Sequence, residues 1–118
     1  MVKRAIGVMA VLCLLAPAAL AQEEVTIGVS IPSATHGWTG GVNWWASEAE
    51  RYLEETYPFI DFVVVTAGSP SEQANDLQDL TAIQQIDALV ILPFESDPLT
   101  DPVAEVKAQG VFVTVVDR

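Results

Sequence analysis

The residues best suited to chemistry lie in three short stretches of the 118-residue chain. The first, residues 32–41, holds His36, Trp38 and Thr39 among Pro32, Gly37, Gly40 and Gly41. Trp38 has no helical or strand stripe to join in this setting, so its indole reads as a wall for a ligand. The third is the terminal pair Asp117-Arg118. An arginine at a strand's carboxyl end can fork onto vicinal hydroxyls while the neighbouring aspartate orients it. Arg118 is also the last residue, which gives it an abnormal local setting. Between them, Glu95, Ser96 and Asp97 fit a cleft rim, and equally a solvated loop with a helix cap. His36 is the one histidine. No second His accompanies it, and the one cysteine, Cys13, falls in the apolar start of the chain, so a metal site is not expected.

Other site chemistries find little support. The chain has no Gly-x-Ser-x-Gly elbow, no Gly-Lys-Ser/Thr after its first-loop glycines and no Gly-x-Gly-x-x-Gly after its first strand. One histidine and no cysteine beyond position 13 exclude most nucleophile-base pairs. Composition leaves room for a carboxylate-based hydrolase, and nothing in the spacing points to one. Five Lys and Arg against 16 Asp and Glu give a net charge of -11, the wrong sign for a phosphate backbone, so nucleic acid is not an expected partner. No cofactor motif is present.

Residues 1–21 read as a secretory signal peptide: Lys3 and Arg4, an uncharged apolar run, and Ala19-Leu20-Ala21 before a cleavage point. A transmembrane anchor fits less well, because the run holds Gly7 and Pro17 and is shorter than the roughly 20 residues of a span. A lipoprotein signal would need a small residue before Cys13, where Leu12 stands. Removing the first 21 of 118 residues leaves 97, with three basic residues (Arg51, Lys107, Arg118) against 16 acidic, or -13. An exported chain with no disulfide depends on its hydrophobic core, and 51% hydrophobic residues can supply one.

The elements that must position these residues alternate in period. Residues 25–31 read as a strand and 32–41 as a loop. An apolar stripe through Val42, Trp45, Ala46, Ala49, Tyr52 and Leu53 makes residues 42–57 a helix ended by Pro58. Of the adjacent tryptophans, Trp45 is assigned to the core, and Trp44 to the core edge, an interface or a ligand wall. Residues 59–66 form a second strand around Phe62-Val63-Val64-Val65. Ser69-Pro70-Ser71-Glu72 opens a helix with Ser69 as N-cap, Pro70 at the first helical position and Glu72 reaching back to the N–H of the cap. That helix turns Ala74, Leu77, Leu80, Ile83 and Ile86 inward. Residues 87–92 are a third strand, 93–98 a loop, and Asp101-Pro102 the start of a third helix ended by a left-handed Gly110. Residues 111–116 are a fourth strand. The string βαβαβαβ implies a Rossmann-like α/β fold, a parallel sheet with helices on both faces. Its ligand sites belong at the carboxyl ends of the strands, near the reversal of strand order.

In this frame the signal peptide, the aromatic first loop, Ser69-Pro70-Ser71-Glu72-Gln73-Ala74, Ala88-Leu89-Val90-Ile91-Leu92-Pro93 and Val113-Thr114-Val115-Val116-Asp117-Arg118 follow one another in order. Together they resemble the periplasmic sugar-binding proteins of ABC importers, of the ribose/galactose type (type I substrate-binding proteins). The resemblance runs from Val25 to Arg118. It implies two α/β lobes closing about a monosaccharide, with aromatic rings on the apolar faces of the sugar and forked polar groups on its hydroxyls. The family's ligand residues map onto His36, Trp38 and Thr39 in the first loop and onto Asp117 and Arg118. Where the family commonly has an Asn and two aromatics, this first loop has His36, Trp38 and Thr39.

The resemblance implies a substrate-binding component, not an enzyme, that captures a carbohydrate in the periplasm. Its partner would be an ABC permease in the inner membrane, and the full-length protein would be a monomer. Such proteins run to roughly 300 residues, two domains' worth. Residues 22–118 are therefore expected to be a partial N-terminal lobe, from an incomplete gene product or a partial sequence. Two other readings stand beside it: a sensing receptor of the same fold, for a sugar or an autoinducer, and a small exported α/β enzyme.

Overall fold

The computed structural model describes residues 22–117, so the signal-peptide segment 1–21 and Arg118 lie outside the described residues. Four strands alternate with three helices: β1 (Val25–Pro32), α1 (Gly37–Thr56), β2 (Ile60–Ala67), α2 (Pro70–Ala82), β3 (Ala88–Ile91), α3 (Ser96–Ala108) and β4 (Phe112–Val115). All pair in parallel in the order β2-β1-β3-β4. In the centre, Val29 sits beside Val64 of β2 and Val90 of β3, and Ser30 beside Val65 and Ile91.

The pleat sends alternate residues to opposite faces, and here the two faces differ. On one, Val63, Val65, Leu89, Ile91 and Val113 meet Leu77 and Leu80 of α2 and Leu99 and Val106 of α3 to form the core. Leu77, Leu80, Leu89, Ile91 and Leu99 are at most 1% exposed. On this face β1 presents Gly28, because a Cβ there would stand 2.9 Å from Ile86 Cδ1 and 3.3 Å from Leu80 Cδ1. The other face carries α1 against β1 and β2. Its β4 end is open, with Phe112 and Val116 exposed.

The second helix starts as its sequence dictates, with one shift. Ser69 Oγ accepts the Glu72 N–H at 3.1 Å, and Pro70 occupies the first turn. The Glu72 carboxylate, however, reaches past the cap to the N–H of Gly68, 2.7 Å away. Gly110 ends α3 at φ +92, the expected left-handed stop.

Four expectations are corrected. The first helix starts at Gly37, not 42, because the Thr39 hydroxyl satisfies backbone N–H groups that a loop would leave to water. The third starts at Ser96, not 101, and continues through Pro102. Ile83, expected inward, is 68% exposed, because α2 ends at Ala82 and Gln85 turns at φ 53 to deliver Ile86 to the core instead. Trp45, assigned to the core, is 67% exposed: its face of α1 is the apolar one, but the sheet beneath is only partly covered.

Candidate functional site

Strand order reverses between β1 and β3, so the segments leaving these two strands diverge and leave a crevice between them. β1 continues its ladder to the Ser33 N–H, which donates to the carbonyl of Ala67 at 2.8 Å. The chain then turns into α1 at His36, an extended N-cap with φ -155. Thr39 makes that turn. Its Oγ1 accepts from the N–H groups of Thr35 (3.1 Å) and His36 (3.2 Å) and donates to the His36 carbonyl at 3.0 Å. One turn on, Asn43 Nδ2 donates to the carbonyls of Pro32 (2.9 Å) and Thr39 (2.8 Å), tying the helix back to the end of the strand. Trp38 is thereby held on the first turn of a helix, where it remains 56% exposed.

On the other side, β3 hands over to Leu92, Pro93 and Phe94. The Leu92 N–H donates to the Ser30 carbonyl at 3.0 Å, so this segment leaves the sheet in register with β1. The two segments enclose a hollow of about 260 Å³ lined by Pro32, Thr35, His36, Trp38, Thr39, Leu92, Pro93 and Phe94. Two aromatic rings, an imidazole and two threonines thus converge on one crevice. Among the described residues no carboxylate, lysine or arginine lines it.

A second hollow of about 390 Å³ lies between α1 and the open sheet face, lined by Val29, Ile31, Trp45, Val90, Leu92 and Val116 among others. Glu50 and Asp117 are its charged lining residues. It suits apolar surface, and it is where Trp45 sits. A ligand carrying several hydroxyls needs donors and acceptors, which the crevice at the strand reversal offers and this hollow largely does not.

The sequence-derived site residues thus divide. His36, Trp38 and Thr39 come together, although the Thr39 hydroxyl is committed to the helix start and the residue is 5% exposed. Glu95 is the N-cap of α3, exposed, one residue past Phe94 and not part of the lining. Asp117, at φ 72, borders the apolar hollow instead. Arg118 lies outside the described residues. Phe94, Asn43 and Gln73 were not singled out from the sequence. For Gln73 a signal existed, since it falls in the inward stripe with Leu77 and Leu80, where a polar side chain needs a buried partner.

Among the described residues no group of three His, Cys, Asp or Glu side chains could hold a metal ion, and no helix is long and apolar enough to cross a membrane. The acidic surface pairs locally where it can: Arg51 meets Glu48 at 2.9 Å and Glu55 at 3.4 Å, and these partners raise its pKa further. Asp76 is pushed above the ordinary carboxylate value of 3.8, first by burial and then by Glu72 and Asp79.

No family model matches the chain, and no curated protein matches its sequence. Solved structures do. An ABC transporter solute-binding protein from Mycobacterium smegmatis with bound glycerol aligns at TM-score 0.67 and 26% identity, over 80% of this chain and 31% of its own. One from Bacillus halodurans C-125 with bound myo-inositol aligns at 0.66 and 20%, over 81% and 32%. LsrB from Clostridium saccharobutylicum in complex with AI-2 aligns at 0.63 and 16%, over 79% and 27%; at these two lower identities the likeness is one of fold. The chain therefore spans about a third of the length of the structures it matches. Over that span it has the α/β fold of ABC transporter solute-binding proteins, the architecture implied by the resemblance to the ribose/galactose type.

Proposed function

We propose that this chain is the first part of the N-terminal lobe of an exported solute-binding protein. In this reading it captures a neutral, polyhydroxylated small molecule of the carbohydrate class and delivers it to an ABC permease in the inner membrane. The observation that carries it is the crevice at the strand reversal, where Trp38 and Phe94 supply aromatic surface beside His36 and Thr35 and, among the described residues, no carboxylate, lysine or arginine lines the space. A sugar or cyclitol presents C–H patches and a ring of hydroxyls. Aromatic surface answers the first, and imidazole and hydroxyl groups the second. A phosphate or carboxylate ligand would call for a cationic partner, and the described residues of this lining offer none.

The solved structures with bound glycerol and myo-inositol support the ligand class, and the leader-like residues 1–21 support export. The second lobe, whose closure completes such a site, would be supplied by sequence beyond this span, and the full-length receptor would act as a monomer. By the family resemblance, Asp117 and Arg118 would also contribute to the ligand site of the complete receptor. Tryptophan emission tests the reading. With Trp44 and Trp45 replaced by Phe, emission reports Trp38 alone, and it should change saturably with at least one pentose, hexose or cyclitol. No response across such a panel, to tens of millimolar, would remove the basis for a carbohydrate receptor.

A further inference from the structure

The side chain of Gln73 is fully buried and bonded at both ends of its amide. Nε2 donates to Ser30 Oγ at 3.0 Å and to the carbonyl of Leu92 at 3.0 Å. Oε1 accepts the backbone N–H of Phe94 at 2.7 Å. Gln73 and Ser30 are both 0% exposed. These partners belong to β1 and to the segment leaving β3, the two walls that diverge at the strand reversal, while Gln73 itself belongs to α2.

We infer that Gln73 is the positioning residue of the crevice: it fixes the Leu92-Pro93-Phe94 wall relative to β1 without touching the ligand. The argument is one of satisfaction. Pro93 has no N–H, so between Leu92 and Glu95 the one backbone donor is that of Phe94. That donor ends on Gln73 Oε1, and both amide protons of Gln73 are used in turn. Because Gln73 and Ser30 are fully buried, each lost bond leaves a buried polar group without its partner. Methionine at position 73 would fill similar volume while releasing all three contacts. The wall would then sample positions in which Phe94 no longer shares the crevice lining with Trp38. Affinity would fall by loss of preorganisation, with every lining residue still present.

The inference rests on the crevice being the ligand site, and hydrogen exchange separates the two claims. In Gln73→Met, the Phe94 amide should exchange about tenfold faster or more while the Leu77 amide, in the core of α2, keeps its wild-type rate. Ser30→Ala, a milder change that keeps the fold if Gln73→Met does not, should accelerate Phe94 in the same selective way, by a smaller factor. Acceleration of Phe94 only in step with Leu77, in either variant, would reduce Gln73 to a general core residue and overturn the inference. Titration with myo-inositol then tests consequence: Gln73→Met should weaken binding by about tenfold relative to wild type. Unchanged affinity in a variant whose Phe94 is unlocked would also overturn it. If the wild type binds no polyol while exchange at Phe94 is selectively unlocked, the receptor reading fails and the positioning role of Gln73 stands.

Discussion

The Thr39 hydroxyl lies 3.2 Å from the backbone nitrogen of His36 and 3.0 Å from its carbonyl oxygen, and this contact starts α1 five residues ahead of its apolar stripe. Residues that read as a loop thereby become a helical turn that presents Trp38 to the crevice. Thr39→Val keeps the shape and removes the hydroxyl. By analogy with other helix-start contacts it should cost about 1 kcal/mol, read as a drop in melting temperature, and Thr39→Ser should recover most of it.

Gly28 is dictated by the helix behind it. An added Cβ would meet Ile86 Cδ1 at 2.9 Å and Leu80 Cδ1 at 3.3 Å. Gly28→Ala is expected to destabilise by about 1–3 kcal/mol in urea unfolding. In the Gly28→Ala, Ile86→Val double variant the nearer obstructing methyl is gone, so the two costs should add to less than their sum. Strict additivity would show that the obstruction is not there.

The two faces of the sheet should respond differently to truncation. Leu89→Ala, at 0% exposure within the core, should cost about 2–5 kcal/mol. Trp45→Ala, on the partly covered face and 67% exposed, should cost about 1 kcal/mol despite removing the larger side chain. Equal costs would return Trp45 to the core.

Asp76 gives a pH signature. Burial, then Glu72 and Asp79, raise its folded pKa above the ordinary 3.8, so the native state holds this proton to higher pH than the unfolded chain does. Its contribution to stability is therefore greatest below the unfolded value and is lost as pH rises through the raised folded value. Asp76→Asn should remove that decline and, near neutrality, relieve the repulsion from Glu72 one turn away, worth about 0.2–0.5 kcal/mol. Denaturation midpoints of the two proteins between pH 3 and 7 would check the sign, with the gap in favour of Asn widening as pH rises.

What could be read ahead of the structure follows from the range of the forces involved. The β-branched run at Val63-Val64-Val65, the Ser69-Pro70 helix start and the Gly110 stop are local signals, and each appears where it was expected. Trp45 and Ile83 show the limit of periodicity, which identifies a face but not whether anything covers it. Gln73 lies 43 residues from Ser30 and 21 from Phe94, so no local pattern named its partners. Of the candidate site, His36, Trp38 and Thr39 were legible as a Gly-flanked aromatic loop. Phe94 was not singled out, because its place in the same crevice lining as Trp38 depends on β3 lying next to β1.

Amide and indole chemical shifts of the isotope-labelled chain, recorded during addition of myo-inositol, D-allose and glycerol, test the central proposal most directly, because NMR registers even the weak binding expected of a single lobe. The expected result is saturable movement of Thr35, His36, Phe94 and the Trp38 indole N–H with at least one of these polyols, while Val103 and Val106 of α3 stay still. No movement of those four resonances with any of them, or movement gathered along the Trp45 face instead, would contradict a carbohydrate site at the strand reversal.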